Sequence, residues 1–218
     1  MQSRDNAFVT VEKVTGFAAR RQRREGILYR IVSAILEMPE VRQRISKLSV
    51  EEYHRLDEFN ENGRRTELIR GIVIEKMSKS PLHSSIGRKL YQRLLAMVTE
   101  GFVVCREDPL TLADSEPEPD ISIVHGREAD LQRAHASTAE LVVEIAVSSP
   151  SLDRELAAAY AEAGIKEYWI ILGAERKVEV YRQPVAGRYQ ELRVAGADEV
   201  LECGSVPGVR IVLDELFG

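Results

Sequence analysis

In the run Leu141-Val142-Val143-Glu144-Ile145-Ala146-Val147 every residue but one is apolar. An ionised carboxylate in such surroundings costs several kcal/mol unless a cation or a proton meets it. Glu144 is therefore the position at which the sequence asks for a chemical explanation. A second carboxylate, Asp120, follows Pro119 and opens the short apolar run Ile121-Ser122-Ile123-Val124. Alone, an aspartate there reads equally well as a turn cap. Two carboxylates at adjacent strand ends, close enough to repel, are most simply held ionised by a divalent cation such as Mg²⁺ or Mn²⁺. Such an ion takes few protein oxygens and keeps several waters. One of those waters can then serve as a nucleophile.

The elements that must place these groups are legible from periodicity and punctuation. Ser49 with Glu52 three residues on forms a capping box, which predicts a short helix from Val50 to Phe59. Asn60-Glu61-Asn62-Gly63 is turn chemistry, and residues 66–77 read as strand, with Gly71 marking a hairpin turn or bulge. After Pro81 a helix is predicted in which Ile86, Leu90, Tyr91, Leu94, Met97 and Val98 share one face, ending at Gly101. Strands follow at Phe102–Cys105, Ile121–Val124 and Leu141–Val147, the last apolar enough to be covered on both faces. An alanine-rich helix closes at Gly164. Strand Tyr168–Leu172, a hairpin around Val178–Tyr181 and Tyr189–Leu192, and a tail strand at Ile211–Leu213 complete the chain. This order describes an α/β chain with a mixed sheet and helices on its faces.

The 218 residues, 44% of them apolar, suffice for one full core and an appendage. Cys105 and Cys203 lie far apart with no Cys or His at ligand spacing, which excludes a zinc site and a disulfide framework and reads as two reduced strand or core thiols. The stretch Ile27–Leu36 is interrupted by Arg30 and falls well short of the ~20 apolar residues that span a bilayer. A soluble, cytoplasmic protein without membrane association is expected. The net charge of −5 argues against nucleic-acid binding over the whole surface. It conceals an asymmetry, for residues 1–47 carry +5 and the remaining 171 carry −10. We therefore divide the chain into a basic helical extension, 1–47, and a body, 48–218. The extension centres on Arg20, Arg21, Arg23 and Arg24 and runs into apolar pairs every four residues up to Leu36. Three readings fit it: a helix docking its apolar stripe, an arm touching phosphates, and a membrane-surface or targeting remnant.

Taken in order, Pro119-Asp120, then Val143-Glu144-Ile145, then Tyr160-Ala161-Glu162-Ala163-Gly164-Ile165-Lys166-Glu167-Tyr168-Trp169 resemble the PD-(D/E)xK nuclease superfamily, and within it the Uma-type restriction endonucleases. The resemblance extends from about Leu48 to Phe217 and includes Ser49-Val50-Glu51-Glu52-Tyr53, Glu67-Leu68-Ile69-Arg70-Gly71 and Pro81-Leu82-His83. It implies a restriction-endonuclease-like fold and an endonuclease that hydrolyses DNA phosphodiester bonds with Mg²⁺ or Mn²⁺ and no small-molecule cofactor. Asp120 and Glu144 would be its metal ligands, Glu67 a third acid and His83 a group nearby. Homodimerisation is part of the same expectation.

The residues permit plainer roles. Glu67 could be an exposed cross-strand ion pair, His83 a helix cap, and Tyr168 and Trp169 core packing. One departure from the pattern bears on activity. The lysine that the family carries on the helix before the tyrosine is absent from Asp153-Arg154-Glu155-Leu156-Ala157-Ala158-Ala159-Tyr160, and the position two after Glu144 is Ala146. A basic group could come from elsewhere, with Arg154, Lys89, Lys79 and Lys166 as candidates. The metal could suffice at a reduced rate. Or the site could be degenerate, leaving a module for DNA binding or self-association. For the extension, the phosphate-arm reading has a direct consequence. If residues 18–30 touch phosphates, deleting residues 1–47 should weaken DNA binding and flatten its log K against log salt slope by several units, at roughly 0.9 per phosphate contact; an unchanged slope with lost oligomerisation would favour the docking helix.

Overall fold

The computed structural model describes residues 34–57, 63–148 and 150–218. Arg20, Arg21, Arg23 and Arg24 lie outside the described residues. Lys47–Gly218 forms a unit of its own; in the segment before it a single turn, α1 (Pro39–Arg42), starts with proline at its first position, where a missing N–H costs nothing.

Within Lys47–Gly218 the capping box forms as expected. Ser49 N–H donates to the Glu52 carboxylate at 2.8 Å and Glu52 N–H to Ser49 Oγ at 3.2 Å, opening α2 (Val50–Asp57). The hairpin β1 (Thr66–Ile69) and β2 (Ile72–Glu75) pairs antiparallel by itself and turns at Arg70-Gly71. Helix α3 (Pro81–Met97) has Ser80 as N-cap, its hydroxyl accepting from His83 N–H. It buries Ile86, Leu90 and Leu94 and stops before Val98, whose extended backbone breaks the helix four residues earlier than the Gly101 signal suggested.

The central sheet has six strands in the order β3 (Phe102–Cys105), β4 (Ile121–His125), β5 (Leu141–Ala146), β6 (Glu167–Leu172), β7 (Lys177–Val185) and β8 (Arg188–Gly196). Only β5 and β6 run parallel. Their connection is the crossover helix α5 (Ser151–Glu162), which follows the single turn α4 (Glu128–Leu131) in the chain. Period-two alternation divides the sheet residues between two cores. Ile121, Ile123, Val143, Ile145, Trp169 and Ile171 pack with α3, β9 (Val200–Glu202), β10 (Arg210–Val212) and α6 (Leu213–Phe217). Val142, Ala146, Tyr168, Ile170 and Leu172 pack with Leu156, Ala159 and Tyr160 of α5. Each large side chain so enclosed contributes roughly 1.5–3 kcal/mol. Tyr168 and Trp169, 0% and 1% exposed, belong to the core rather than to a base-stacking surface. Cys105 and Cys203 are free, buried thiols.

Two differences from the sequence reading concern the C-terminal third. The hairpin strands are nine residues each, and the tail strand ends at Val212, where Leu213 begins a helix turned onto α3. The longer hairpin carries polar residues on an open face, so apolar runs alone understate its length.

Gly71 ties the hairpin to the start of α2. Its φ is +79°, its carbonyl accepts from Leu48 N–H at 3.0 Å, and a Cβ there would stand 2.6 Å from Lys47 Cβ. Gly71→Ala should therefore destabilise the fold by more than about 1 kcal/mol, measurable by urea denaturation, because both the backbone conformation and the space exclude a methyl group.

Candidate active site

Strands β4 and β5 are antiparallel with Ile121 opposite Val143 and Ser122 opposite Val142. One step further along the same register sets Asp120 opposite Glu144, on the face covered by α5. Directly opposed like charges on one sheet face repel, and the surroundings of the two carboxylates differ sharply. Asp120 is 8% exposed. Its Oδ1 takes Lys79 Nζ at 2.8 Å, and its Oδ2 takes His83 Nε2 at 2.9 Å and the Ile145 N–H at 2.9 Å. Glu144 is the one half-buried position in a strand whose other residues are buried. It receives the Tyr160 hydroxyl at 3.0 Å and a long bond from the Asp120 N–H at 3.3 Å. No cation touches it among the described residues.

The consequence is a pair of carboxyl groups driven apart in acidity. Burial opposes the charge on Asp120, but the hydrogen bonds and charges of His83 and Lys79 outweigh it and hold the carboxyl below its usual range. Burial, followed by the negative charges of Asp120, Asp153 and Glu67, pushes Glu144 well above the ordinary glutamate value, with Lys76 only partly opposing.

Glu67 reaches this neighbourhood from β1. Its side chain is 13% exposed, so the exposed ion pair is not what forms. Lys76 Nζ at 2.7 Å and Glu118 N–H at 2.7 Å both donate to Oε1, and Oε2 has no partner among the described residues. Burial works against charge on Lys76, but Glu67, Glu144 and Glu118 hold its ammonium above the usual value. His83 does more than close a helix end. Its backbone N–H goes to Ser80 and its ring to Asp120, while the buried Nδ1 has no partner among the described residues.

Sequence reasoning assigned no role to Asp153, Lys76 or the Tyr160 hydroxyl. Asp153 lies seven residues before Tyr160 on α5, a two-turn spacing that sets both on one helix face. The Tyr168 hydroxyl donates to the Asp153 carbonyl at 2.8 Å and fixes the helix start. Burial first, and then the charges of Asp120 and Glu67, raise the Asp153 carboxyl to about 6, against the pull of His83 and Arg154. The spacing could have identified Asp153; nothing local to Lys76 distinguishes it from a surface lysine.

Of the four basic candidates, three are engaged elsewhere. Arg154 binds Glu179 through Nε at 3.1 Å, Lys166 binds Glu140 at 2.8 Å, and Lys89 holds the C-terminal carbonyls of Leu216 and Gly218. Lys79 alone of the four lies on a site carboxylate.

Asp120 and Glu144 offer oxygen donors with an excess of negative charge around them, a donor set for Mg²⁺ or Mn²⁺. Among the described residues no three His, Cys, Asp or Glu side chains already stand in ligand geometry. An ion here would keep much of its water, and it would have to take Oδ1 of Asp120 from Lys79.

Residues 50–214 match the Uma2 family, described as "Putative restriction endonuclease". Among solved structures the chain is similar to that of a "putative nuclease belonging to DUF820" from Anabaena variabilis ATCC 29413, with a TM-score of 0.64 and 22% identity over 78% of this chain and 97% of the other. The expected mixed sheet flanked by helices, the restriction-endonuclease-like architecture, is thus the observed one. No curated protein matches.

The raised Asp153 carboxyl has a measurable cost. The folded state holds its proton up to about pH 6, whereas the unfolded chain releases it near 3.8, so stability falls with rising pH between these values. Asp153→Asn should remove that fall, stabilising the protein above pH 6 by at most about 3 kcal/mol and leaving it unchanged below about pH 3.5, as read from thermal melts across the range.

Proposed function

The chain belongs to the Uma2 family, and from that premise we propose that it is a divalent-metal-dependent endonuclease acting on DNA. The observation that supports this reading is the opposed pair Asp120 and Glu144, one carboxyl held ionised and the other left without a cation. They would hold Mg²⁺ or Mn²⁺, which when bound makes a water a competent nucleophile near neutral pH and offsets phosphate charge.

The residues have separate tasks in this scheme. Asp120 keeps one orientation because His83 and the Ile145 N–H fix Oδ2. Tyr160 holds Glu144 from the α5 side. Glu67, pinned through Oε1, presents Oε2 as an acceptor for the attacking water. In the reaction the water oxygen forms a bond to phosphorus while the ester P–O bond opposite breaks. The leaving oxygen takes that electron pair and a proton from solvent, and the proton of the attacking water passes to solvent. The acidic unit from Lys47 onward would meet DNA through restricted basic positions, or through Arg20, Arg21, Arg23 and Arg24 of the extension. Cutting both strands would call for two copies, so a homodimer working in the cytoplasm completes the proposal. No helix among the described residues is long and apolar enough to cross a membrane.

A module that associates without cutting is the competing reading, favoured by the pairing of Arg154, the basic residue of α5, with Glu179 on β7. Incubation with supercoiled plasmid decides between them. The parent protein should nick the plasmid with Mg²⁺ or Mn²⁺, and Glu144→Ala should lose that activity. Equal nicking by both would remove Glu144 from the site, and an inert parent that still binds DNA would favour the association module.

A further inference from the structure

We propose that Lys79 is the catalytic cation of this chain. Its ammonium donates to the scissile phosphate and steadies the charge that develops there, a task the family pattern places on the helix before Tyr160. The inference rests on the nuclease reading and adds to it the identity of the group that replaces the absent lysine.

The geometry distinguishes Lys79 from every other basic residue of the site. Lys79 lies in the short connection between β2 and α3, and its Nζ stands 2.8 Å from Asp120 Oδ1 and 2.9 Å from Glu107 Oε1. An ammonium has three N–H groups; these two carboxylates take two, and the third remains for a phosphate oxygen. Lys76, the nearest alternative, is pinned between the Glu67 carboxylate at 2.7 Å and the Glu118 carbonyl at 2.6 Å, where it braces the hairpin. Its side chain is 15% exposed against 23% for Lys79, so Lys79 is the more accessible to a ligand.

Glu107 explains how Lys79 keeps its place once Asp120 is otherwise engaged. Its φ is +60°, a left-handed conformation that is disfavoured for a non-glycine residue. Arg65 at 3.0 Å and the bond from Glu107 N–H to Pro119 O at 3.2 Å hold it there. Strained positions of this kind persist where the surroundings over-determine them. With Arg65 on its Oε2 and Lys79 on its Oε1, Glu107 is a fixed anchor beside the site. Lys79 can release Oδ1 of Asp120 to a divalent ion and still be tethered within reach of the phosphate. It forms no covalent bond and transfers no proton.

The full chain carries the test, with Lys79→Met and Lys79→Arg beside Lys166→Met, a change at a surface ion pair distant in role. Plasmid cleavage is measured for kcat and KM with Mn²⁺, and Mn²⁺ affinity is measured on the protein alone by calorimetry. Lys79→Met should lower kcat about 10²–10³-fold with KM changed by less than about threefold. Lys79→Arg should recover most of the loss and Lys166→Met should match the parent. Mn²⁺ should bind Lys79→Met at least as tightly as the parent, because the competing ammonium has left Asp120. A Lys79→Met enzyme with parental kcat overturns the role of Lys79 and leaves the nuclease reading standing. Weakened Mn²⁺ binding, or an arginine variant as slow as the methionine one, overturns it in favour of a structural role. A parent that cleaves nothing overturns the nuclease reading and the role of Lys79 together.

Discussion

The register of β4 on β5 is the constraint from which the rest of the site follows. Antiparallel pairing of Ile121 with Val143 brings Asp120 and Glu144 opposite each other on one face of a sheet that is otherwise closed by apolar packing. A slip of β4 by one residue would turn Asp120, along with the whole apolar set of that strand, to the other face and away from Glu144. The same hydrophobic pattern that stabilises the sheet therefore fixes two acids within repulsion distance. The surrounding positive groups answer one of them and not the other.

Glu167 on β6 illustrates what a satisfied buried carboxylate looks like in this protein. It is 1% exposed, and Arg182 at 2.8 Å, the Trp169 indole at 2.7 Å and the Gly204 N–H at 2.7 Å meet its two oxygens. The result is a cross-link between β6, β7 and the segment before β10. Glu144, opposite Ile170 on the neighbouring strand and in equally apolar surroundings, has a phenol and one long amide bond. Breaking a buried charge network is costly, whereas an acid without a cation is available to a positively charged ligand. The two glutamates differ most in their partners, a cation for Glu167 and none for Glu144 among the described residues, and that difference supports the proposed role of Glu144.

Charge around the site is organised as a chain. Lys79 links Asp120 to Glu107, Arg65 links Glu107 to Glu118, and Lys76 links Glu118 to Glu67. The hairpin of β1 and β2 is attached to the approach of β4 through these pairs, through the bridge of Leu68 with Glu116, and through Glu118 N–H on Glu67. The hairpin pairs with no strand of the central sheet, and its attachment is what brings Glu67 to the acids. A net negative body thus carries, beside its acids, an ordered set of cations. These offset part of the local charge without reaching Glu144.

The sequence by itself determined the elements and two of the acids. Apolar alternation, the Ser49–Glu52 capping box, Pro81 and Gly164 are local signals, and they mark their helices and strands to within a few residues because each acts through its immediate neighbours. Glu144 was visible for the same reason: an acid in an apolar strand is anomalous wherever the strand packs. Tertiary structure decided the rest. Whether Lys79, Lys89, Arg154 or Lys166 approaches Asp120 depends on which acids, Glu107, Glu140 and Glu179 among them, the fold brings to each, and no local pattern encodes that competition. Asp153 was half legible, through its two-turn spacing to Tyr160, but its lowered acidity arises first from burial and then from the charges of Asp120, just before β4, and Glu67 on β1. Electrostatic character belongs to the assembled site, since burial and neighbouring charge set it and both exist only once distant segments have come together.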